Sequence, residues 1–198
     1  MKFGKTILTL FVLMVAAVMI VPVSASIGNV QTVENQNVGS LGSNVQVATA
    51  TASGAFNTQT VINSNDHTIG VNTQTATATV GGLGSSQTVT NANVRTIGTD
   101  SQTATATMNS AGSTQTVSNL NDKTVGMNTQ KATATMNGLI SIGNKQTIYN
   151  TNQNAIVINK QTATGTMGGF ISIGNTQSGG NFNSHSGLFN TQTVTVHG

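Results

Sequence analysis

The chain has no cysteine, no tryptophan, one proline, one tyrosine and only 6% charged residues among its 198. Without cysteine there is no disulfide and no thiolate metal site, the usual supports of small exported proteins. Beyond residue 25 the aromatic bulk is limited to Phe56, Tyr149, Phe170, Phe182 and Phe189, too little to assemble a conventional apolar core. The pI near 9.6 is also misleading, because Lys2 and Lys5 lie in an N-terminal stretch that the mature chain is expected to lack. Past it, Arg95, Lys123, Lys131, Lys145 and Lys160 oppose Glu34, Asp66, Asp100 and Asp122, a balance of 5 − 4 = +1. With no basic patch interleaved with aromatics, nucleic-acid binding is set aside. Such a composition fits either a disordered polar tract or a repetitive fold that satisfies itself through hydrogen-bond ladders.

The first residues bear on destination. MKFGK carries two lysines, Thr6 to Ile20 is uncharged and apolar, and Val23-Ser24-Ala25 places small residues at −3 and −1 of a cleavage site. Residues 1–25 are therefore expected to be a secretory signal, and 26–198 a secreted chain found extracellularly or at the cell surface. The alternative is an uncleaved anchor, since the apolar run from Thr6 through Val23 just reaches spanning length.

What is abundant is repetition. "NTQTATATV" (72–80) returns as "DSQTATATM", "NTQKATATM" and "INKQTATGTM". Gln31, Gln59, Gln87, Gln115, Gln146 and Gln177 each open a unit, and a second glutamine follows at one constant interval, at Gln46, Gln74, Gln102, Gln130, Gln161 and Gln192. The units begin near 29, 57, 85, 113, 144 and 175, so the period is 28 three times and then 31 twice. Disorder would not hold such spacing. The lengthening falls at "LISIGN" (139–144) and "FISIGN" (170–175) and is expected to enlarge a loop.

Each unit holds two segments with the period of 2 that marks strands. The first reads Gln-x-Val-x-Asn-x-Asn, which adds Asn35 and Asn37, Asn63 and Asn65, Asn91 and Asn93, Asn119 and Asn121, Asn150 and Asn152, and Asn181 and Asn183 to the inward set. Its other parity drifts among Glu34, Ile62, Thr90, Ser118, Tyr149 and Gly180, the freedom of a solvated face. The second segment points Gln74, Ala76, Ala78 and Val80 inward and Thr75, Thr77 and Thr79 outward. Gly70, Gly98 and Gly126 recur in the connecting arc, preceded by Ile69, Ile97 and Val125, which are expected to tuck beneath it. Turn-forming "GGLGS" (81–85) and "NSAGS" (109–113) separate units.

The predicted fold is thus all-β: a β-solenoid of six strand–arc–strand repeats, with a period of 28 to 31 and two parallel in-register sheets. Each inward Gln or Asn would lie about 4.8 Å from its copy in the next coil. An unpaired buried amide costs roughly 1–3 kcal/mol, so a lone coil would be unstable and stacked coils satisfy one another. An open coil end is a template for another chain, and no proline follows Pro22 to blunt it.

These residues resemble the secreted functional-amyloid fibre subunits of the curlin type, over Val30 to about Val196. The shared pattern is a signal, imperfect strand–turn–strand repeats, and inward Gln and Asn at fixed places such as Gln87, Asn91 and Gln102. Departures are a longer repeat, a second Asn at Asn93 and its equivalents, and an Ala-x-Ala segment. The resemblance implies self-assembly into extracellular fibres for adhesion or biofilm matrix, with the chain itself as partner and accessory proteins for secretion and nucleation. Asp66-His67, Val94-Arg95 and Asp122-Lys123 fall at one arc position. They read as solvated turns and, at Asp66, Arg95, Asp122 and Lys123, as gatekeepers that slow assembly.

Two other classes compete. Outward Thr73, Thr75, Thr77, Thr79, Thr103, Thr105, Thr107, Thr133 and Thr135 form an array similar to the ice-contacting face of β-solenoid antifreeze proteins, interrupted by Lys131 and Lys160. Exposed Thr is also simply favoured in strands. A monomeric solenoid adhesin differs from a fibre subunit only in whether its ends pair. Enzymatic function is not expected: His67, His185 and His197 have no carboxylate constellation, and the acids are read as lying near turns or edges. No cofactor, metal or small-molecule substrate is implied, and "GGLGSS" lacks the aspartate of calcium-binding β-rolls.

Overall fold

The computed structural model describes residues 15–22, 27–28, 30–109, 111–154, 156–184 and 189–197. Among them there is no helix. In chain order the strands are β1 (Val15–Pro22), β2 (Val30–Val38), β3 (Leu41–Ala52), β4 (Thr58–Asp66), β5 (Ile69–Gly81), β6 (Ser86–Val94) and β7 (Ile97–Asn109). They continue as β8 (Thr114–Asp122), β9 (Val125–Ile142), β10 (Lys145–Gln153), β11 (Ile156–Ile173), β12 (Thr176–Ser184) and β13 (Phe189–His197).

The even strands β2 to β12 form one sheet in coil order, and the odd strands β1 to β13 form the other. Every pairing is parallel, and equivalent repeat positions are partners: Gln31↔Gln59↔Gln87 in one sheet, Gln46↔Gln74↔Gln102 in the other. Six coils of a β-solenoid result, as the period requires. The N-terminal strand β1 lies beside β3, pairing Val15 with Asn44 and Pro22 with Thr51.

The core is narrow because the inward residues are small. Val33, Val61, Val89, Val117 and Ile148 of the even sheet meet Ala48, Ala50, Ala76, Ala78, Ala104, Ala106, Ala132, Ala134 and Ala163 of the odd sheet. Val80, Met108, Met136 and Met167 form a second column. Volume is conserved across the gap. Where Ile148 replaces the usual valine, the facing alanine becomes Gly165, whose added Cβ would stand 2.4 Å from Ile148 Cδ1. In the last coil the exchange reverses, with Gly179 facing Val194 and Val196.

The arcs stack as tightly as the strands. Gly70, Gly98 and Gly126 take φ of 133°, 134° and 128°, and a Cβ on Gly98 would fall 1.9 Å from the Gly70 carbonyl oxygen. Only glycine meets both demands. Gly39, His67, Arg95, Lys123 and Asn154 share one left-handed turn position, with φ of 52–65°. There the turns are bonded to one another: Gly39 N–H donates to Asp66 C=O, His67 to Val94 and Arg95 to Asp122.

Two expectations are corrected. The added residues near 139 and 170 do not enlarge a loop; β9 and β11 run on as 18-residue strands, with Ile140, Ser141 and Ile142 paired to Ile171, Ser172 and Ile173. Because the addition occurs in adjacent coils, strand pairing continues through it, favoured by β-branched isoleucine. Nor do the arc residues tuck inward. Leu41, Ile69, Ile97, Val125 and Ile156 are 39–55% exposed and stack as an apolar ridge along the rod; after the first four, the positive φ of the glycine that follows turns the chain away from alternation.

Candidate functional site

The polar interior is the site, because it is repeated, buried and continuous to the coil ends. Gln46, Gln59, Gln74, Gln87, Gln102, Gln115, Gln130, Gln146 and Gln161 are at most 1% exposed. Each except Gln46, whose Nε2 donates to Ser64 C=O, donates Nε2 to Oε1 of the glutamine one coil earlier. In the even sheet the series runs from Gln177 through Gln146, Gln115, Gln87 and Gln59 to Gln31, and in the odd sheet from Gln192 through Gln161, Gln130, Gln102 and Gln74 to Gln46, at 2.5–3.2 Å. Turning the Gln59 amide over would gain Thr79 C=O and the backbone N–H groups of Thr51 and Ala52, but would set its oxygen 2.8 Å from Gln31 Oε1 and its nitrogen 3.2 Å from Gln87 Nε2, opening the ladder on both sides. Two acceptors do not bond, so the ladder orientation shared by the other rungs is retained.

The asparagines run the other way. Asn35, Asn63, Asn91, Asn119 and Asn150 each donate Nδ2 to Oδ1 of the next coil's asparagine, ending on Asn181. The outer rank carries Asn65, Asn93, Asn121 and Asn152 onto Asn183 in the same sense. Its first step is open: Asn37 Nδ2 and Asn65 Oδ1 are buried without partners.

The second amide hydrogen ties the sheets together. Gln74 and Gln102 donate to the backbone carbonyls of Ala92 and Leu120 at 3.1 Å, and Asn35 and Asn63 to those of Val47 and Thr75 at 2.8 Å. Ladder and cross-sheet bonds together let these amides stand inside a core without the cost of an unsatisfied buried group.

A further ladder escaped the reading of the sequence. Asn44, Asn72, Asp100 and Asn128 are at most 1% exposed, with Asn44 donating to Asn72 and Asn72 to Asp100 Oδ1 at 2.7 Å, and Asn128 to Asn159 at 3.0 Å. Its signal was the Asn-x-Gln of "NTQ", which sets an asparagine two positions before every second glutamine but Gln102, where Asp100 stands, and so on the same face. Asp100 is therefore not at a turn or an edge. Burial raises the pKa of its carboxyl, against the lowering effect of hydrogen bonds from Thr96 and Asn72. As a carboxylate it has no proton to pass on, and Asn128 Oδ1, its expected acceptor, is buried without a partner.

Asp66, Arg95, Asp122 and Lys123 lie at the arc, outside the ladders. Arg95 binds Asp66 of the preceding coil through both carboxylate oxygens, at 3.1 and 2.9 Å, and His67 Nδ1 is 3.0 Å from the same group. The slight burial of Asp66 is outweighed by Arg95 and His67, which hold its pKa below the usual carboxylate range. Asp122 accepts from Asn154 Nδ2 at 3.2 Å, and Lys123 is exposed. Arg95 and Lys123 thus occupy one turn position on successive coils, with Arg95 drawn back toward Asp66.

The outward threonines form ranks. One, Thr49, Thr77, Thr105, Thr133, Thr164 and Thr195, runs unbroken through all six coils, and the next, Thr51, Thr79, Thr107, Thr135 and Thr166, through five. The lysines interrupt only the neighbouring ranks, Lys131 between Thr103 and Thr162, and Lys160 beside Thr129. Among the described residues no group of His, Asp and Glu is placed to hold a metal ion. Comparisons with protein-family models, curated proteins and solved structures gave no match.

Proposed function

We propose that this chain is the structural subunit of an extracellular, self-assembling amyloid-like fibre that serves adhesion, a biofilm matrix or a surface coat. The observation that carries the reading is the continuity of the amide ladders up to the terminal rungs Gln177, Asn181, Asn183 and Gln192 on strands that close the sheet order. A second copy offers the same groups at the same spacing, so stacking repeats between chains the interaction that builds each one. The resemblance to curlin-type subunits supports secretion through the leader and accessory proteins for export and nucleation. No catalytic role is proposed.

The test is dilution of the denatured chain into buffer, followed by thioflavin T fluorescence and fibre diffraction. Growth accelerated by preformed seeds, with reflections at about 4.8 and 10 Å, is expected. A soluble monomer indifferent to seeds overturns the reading and leaves a monomeric adhesin or an ice binder.

The ice-binding alternative draws on the two charge-free threonine ranks, which make a regular hydroxyl lattice with spacings of about 4.8 Å across strands and 6.7 Å along them. Thermal hysteresis of the monomeric sample tests it.

A further inference from the structure

The ladders give the rod a direction. In every described rung, glutamine amides donate toward the N-terminal end and asparagine amides toward the C-terminal end. A coil docking in register onto β3 must therefore bring an acceptor over Gln46 and a donor over Asn44. The last coil has the matching residues: β13 pairs Gln192 with Gln161 and Asn190 with Asn159. Laid on β3 in the same register, it sets Gln192 at the Gln46 rung and Asn190 at the Asn44 rung. Two N-terminal ends face to face would instead oppose glutamine donor to glutamine donor.

In the structure this edge is already occupied. Strand β1 lies along it with Val15 opposite Asn44 and Ala17 opposite Gln46, two residues that have no amide. The mismatch leaves a mark. Asn44 Oδ1 is completely buried and has no hydrogen-bond partner, whereas one coil on Asn72 Oδ1 accepts from Asn44 at 2.7 Å. The unfilled oxygen is the acceptor that the ladder assigns to an asparagine of a preceding coil. The leader thus satisfies the backbone of the β3 edge and leaves its side-chain chemistry unanswered.

We infer that the β3 edge is the docking site for the C-terminal strand Phe189–His197 of a second copy, stacked C-terminal end onto N-terminal end, with β1 as a provisional occupant that blocks it. The inference rests on the fibre reading and adds polarity, register and a block to it. With β1 in place, β2 is the one strand of the first coil left at a sheet edge among the described residues, so a whole coil cannot seat. Departure of β1, by processing after Ala25 or by exchange, exposes both edges and the unfilled rung together. A chain held back while it carries its leader becomes competent once the leader is gone.

The absence of native cysteine makes the test clean. Two full-length variants, Thr49→Cys and Thr195→Cys, each carrying a protease site inserted between Ala25 and Ser26, are mixed and seeded, cut or uncut, under mild oxidation. Thr49 and Thr195 belong to one rank, so head-to-tail stacking sets them about 4.8 Å apart at the Cα atoms, within disulfide reach. The expected result is at least tenfold faster fibre growth after cutting, with cross-links between the two variants dominating. Equal growth of cut and uncut chains overturns the block. Cross-links mainly between two Thr195→Cys chains overturn the polarity, and either result leaves the fibre reading standing. No growth in any arm removes the fibre reading and this inference with it. As a second variant, Asn44→Leu in the cut chain removes the acceptor together with the internal donor to Asn72 Oδ1; slower growth with unchanged circular dichroism is expected, and undiminished growth overturns the role of that rung.

Discussion

Replacing Asp100 by asparagine should stabilise the protein, although it alters a fully buried residue that already makes two hydrogen bonds. As an asparagine, residue 100 would still accept from Asn72. Its new Nδ2 would reach Asn128 Oδ1, now unpartnered, and Thr96 Oγ1, as Asn128 Nδ2 already reaches Thr124 Oγ1 at 2.7 Å. Satisfying one buried carbonyl oxygen is worth about 1–3 kcal/mol, and a buried charge is removed as well. For a chain of this size that corresponds to a rise in Tm of roughly 2–12 °C near pH 7.

The pH dependence separates this explanation from a general packing effect. Burial places the folded-state pKa of Asp100 above its unfolded value of 3.8. The native chain is then relatively favoured below 3.8, where the carboxylic acid can donate like an amide, and loses that advantage as pH rises through the folded pKa. The gap between Asp100→Asn and the parent should be full above the folded pKa and close as pH falls toward 3.8. Thermal unfolding by circular dichroism, on dilute chains with β1 intact, measures the gap at several pH values. A variant less stable than its parent at pH 7, or a gap that does not narrow in acid, would refute the reasoning.

Other perturbations test other parts of the structure. Gln102→Leu strands the buried Gln74 Oε1 and takes the acceptor from Gln130 Nε2, besides losing the part-buried bond to the Leu120 carbonyl, and should cost about 2–6 kcal/mol, read as a lower urea midpoint. Gly98→Ala sets a Cβ 1.9 Å from the Gly70 carbonyl at a φ of 134°, so the arcs should fail to stack and native circular dichroism should be lost. Gly165→Ala should destabilise by about 1–3 kcal/mol through its clash with Ile148, and Ile148→Val in the same chain should recover part of that loss, a coupling read from a double-mutant cycle. Arg95→Ala removes a half-exposed ion pair and should change stability by no more than about 1 kcal/mol, less at high salt. Because the pKa of Asp66 is depressed, its contribution is present above 3.8 and fades as pH falls through the lower folded value, which a comparison of the two chains in acid would show.

The two-sheet solenoid was legible because in-register stacking puts the same demand on each repeat position. Gln87, Asn91 and Gln102 recur in all six units since an amide ladder fails at any rung that lacks an amide, whereas the positions of Glu34 and Tyr149 drift in the solvent. The rank from Asn44 to Asn159 was harder to see. It lies close to the start of each second strand, just after the glycine that ends the arc's irregular backbone in the first four coils, and Asp100 breaks its chemistry. Nor does period alone tell whether an insertion leaves the sheet: two adjacent coils carry the same addition, so their strands extend together. Exposure of Ile69 and Ile97 follows from a glycine φ that residue type does not reveal. The pairing of β1 with β3 has no counterpart in the repeat at all, since it matches backbone edges and no side-chain ladder.

The central claim, that whole six-coil solenoids stack end to end, is tested most directly by the axial rise per subunit in a fibre, measured by cryo-electron microscopy with helical reconstruction. Six coils at about 4.8 Å each give a rise of about 29 Å per chain, with the 4.8 Å strand spacing inside it. A rise of about 4.8 Å per chain would mean that each molecule contributes a single layer, and would contradict the solenoid as the unit of assembly.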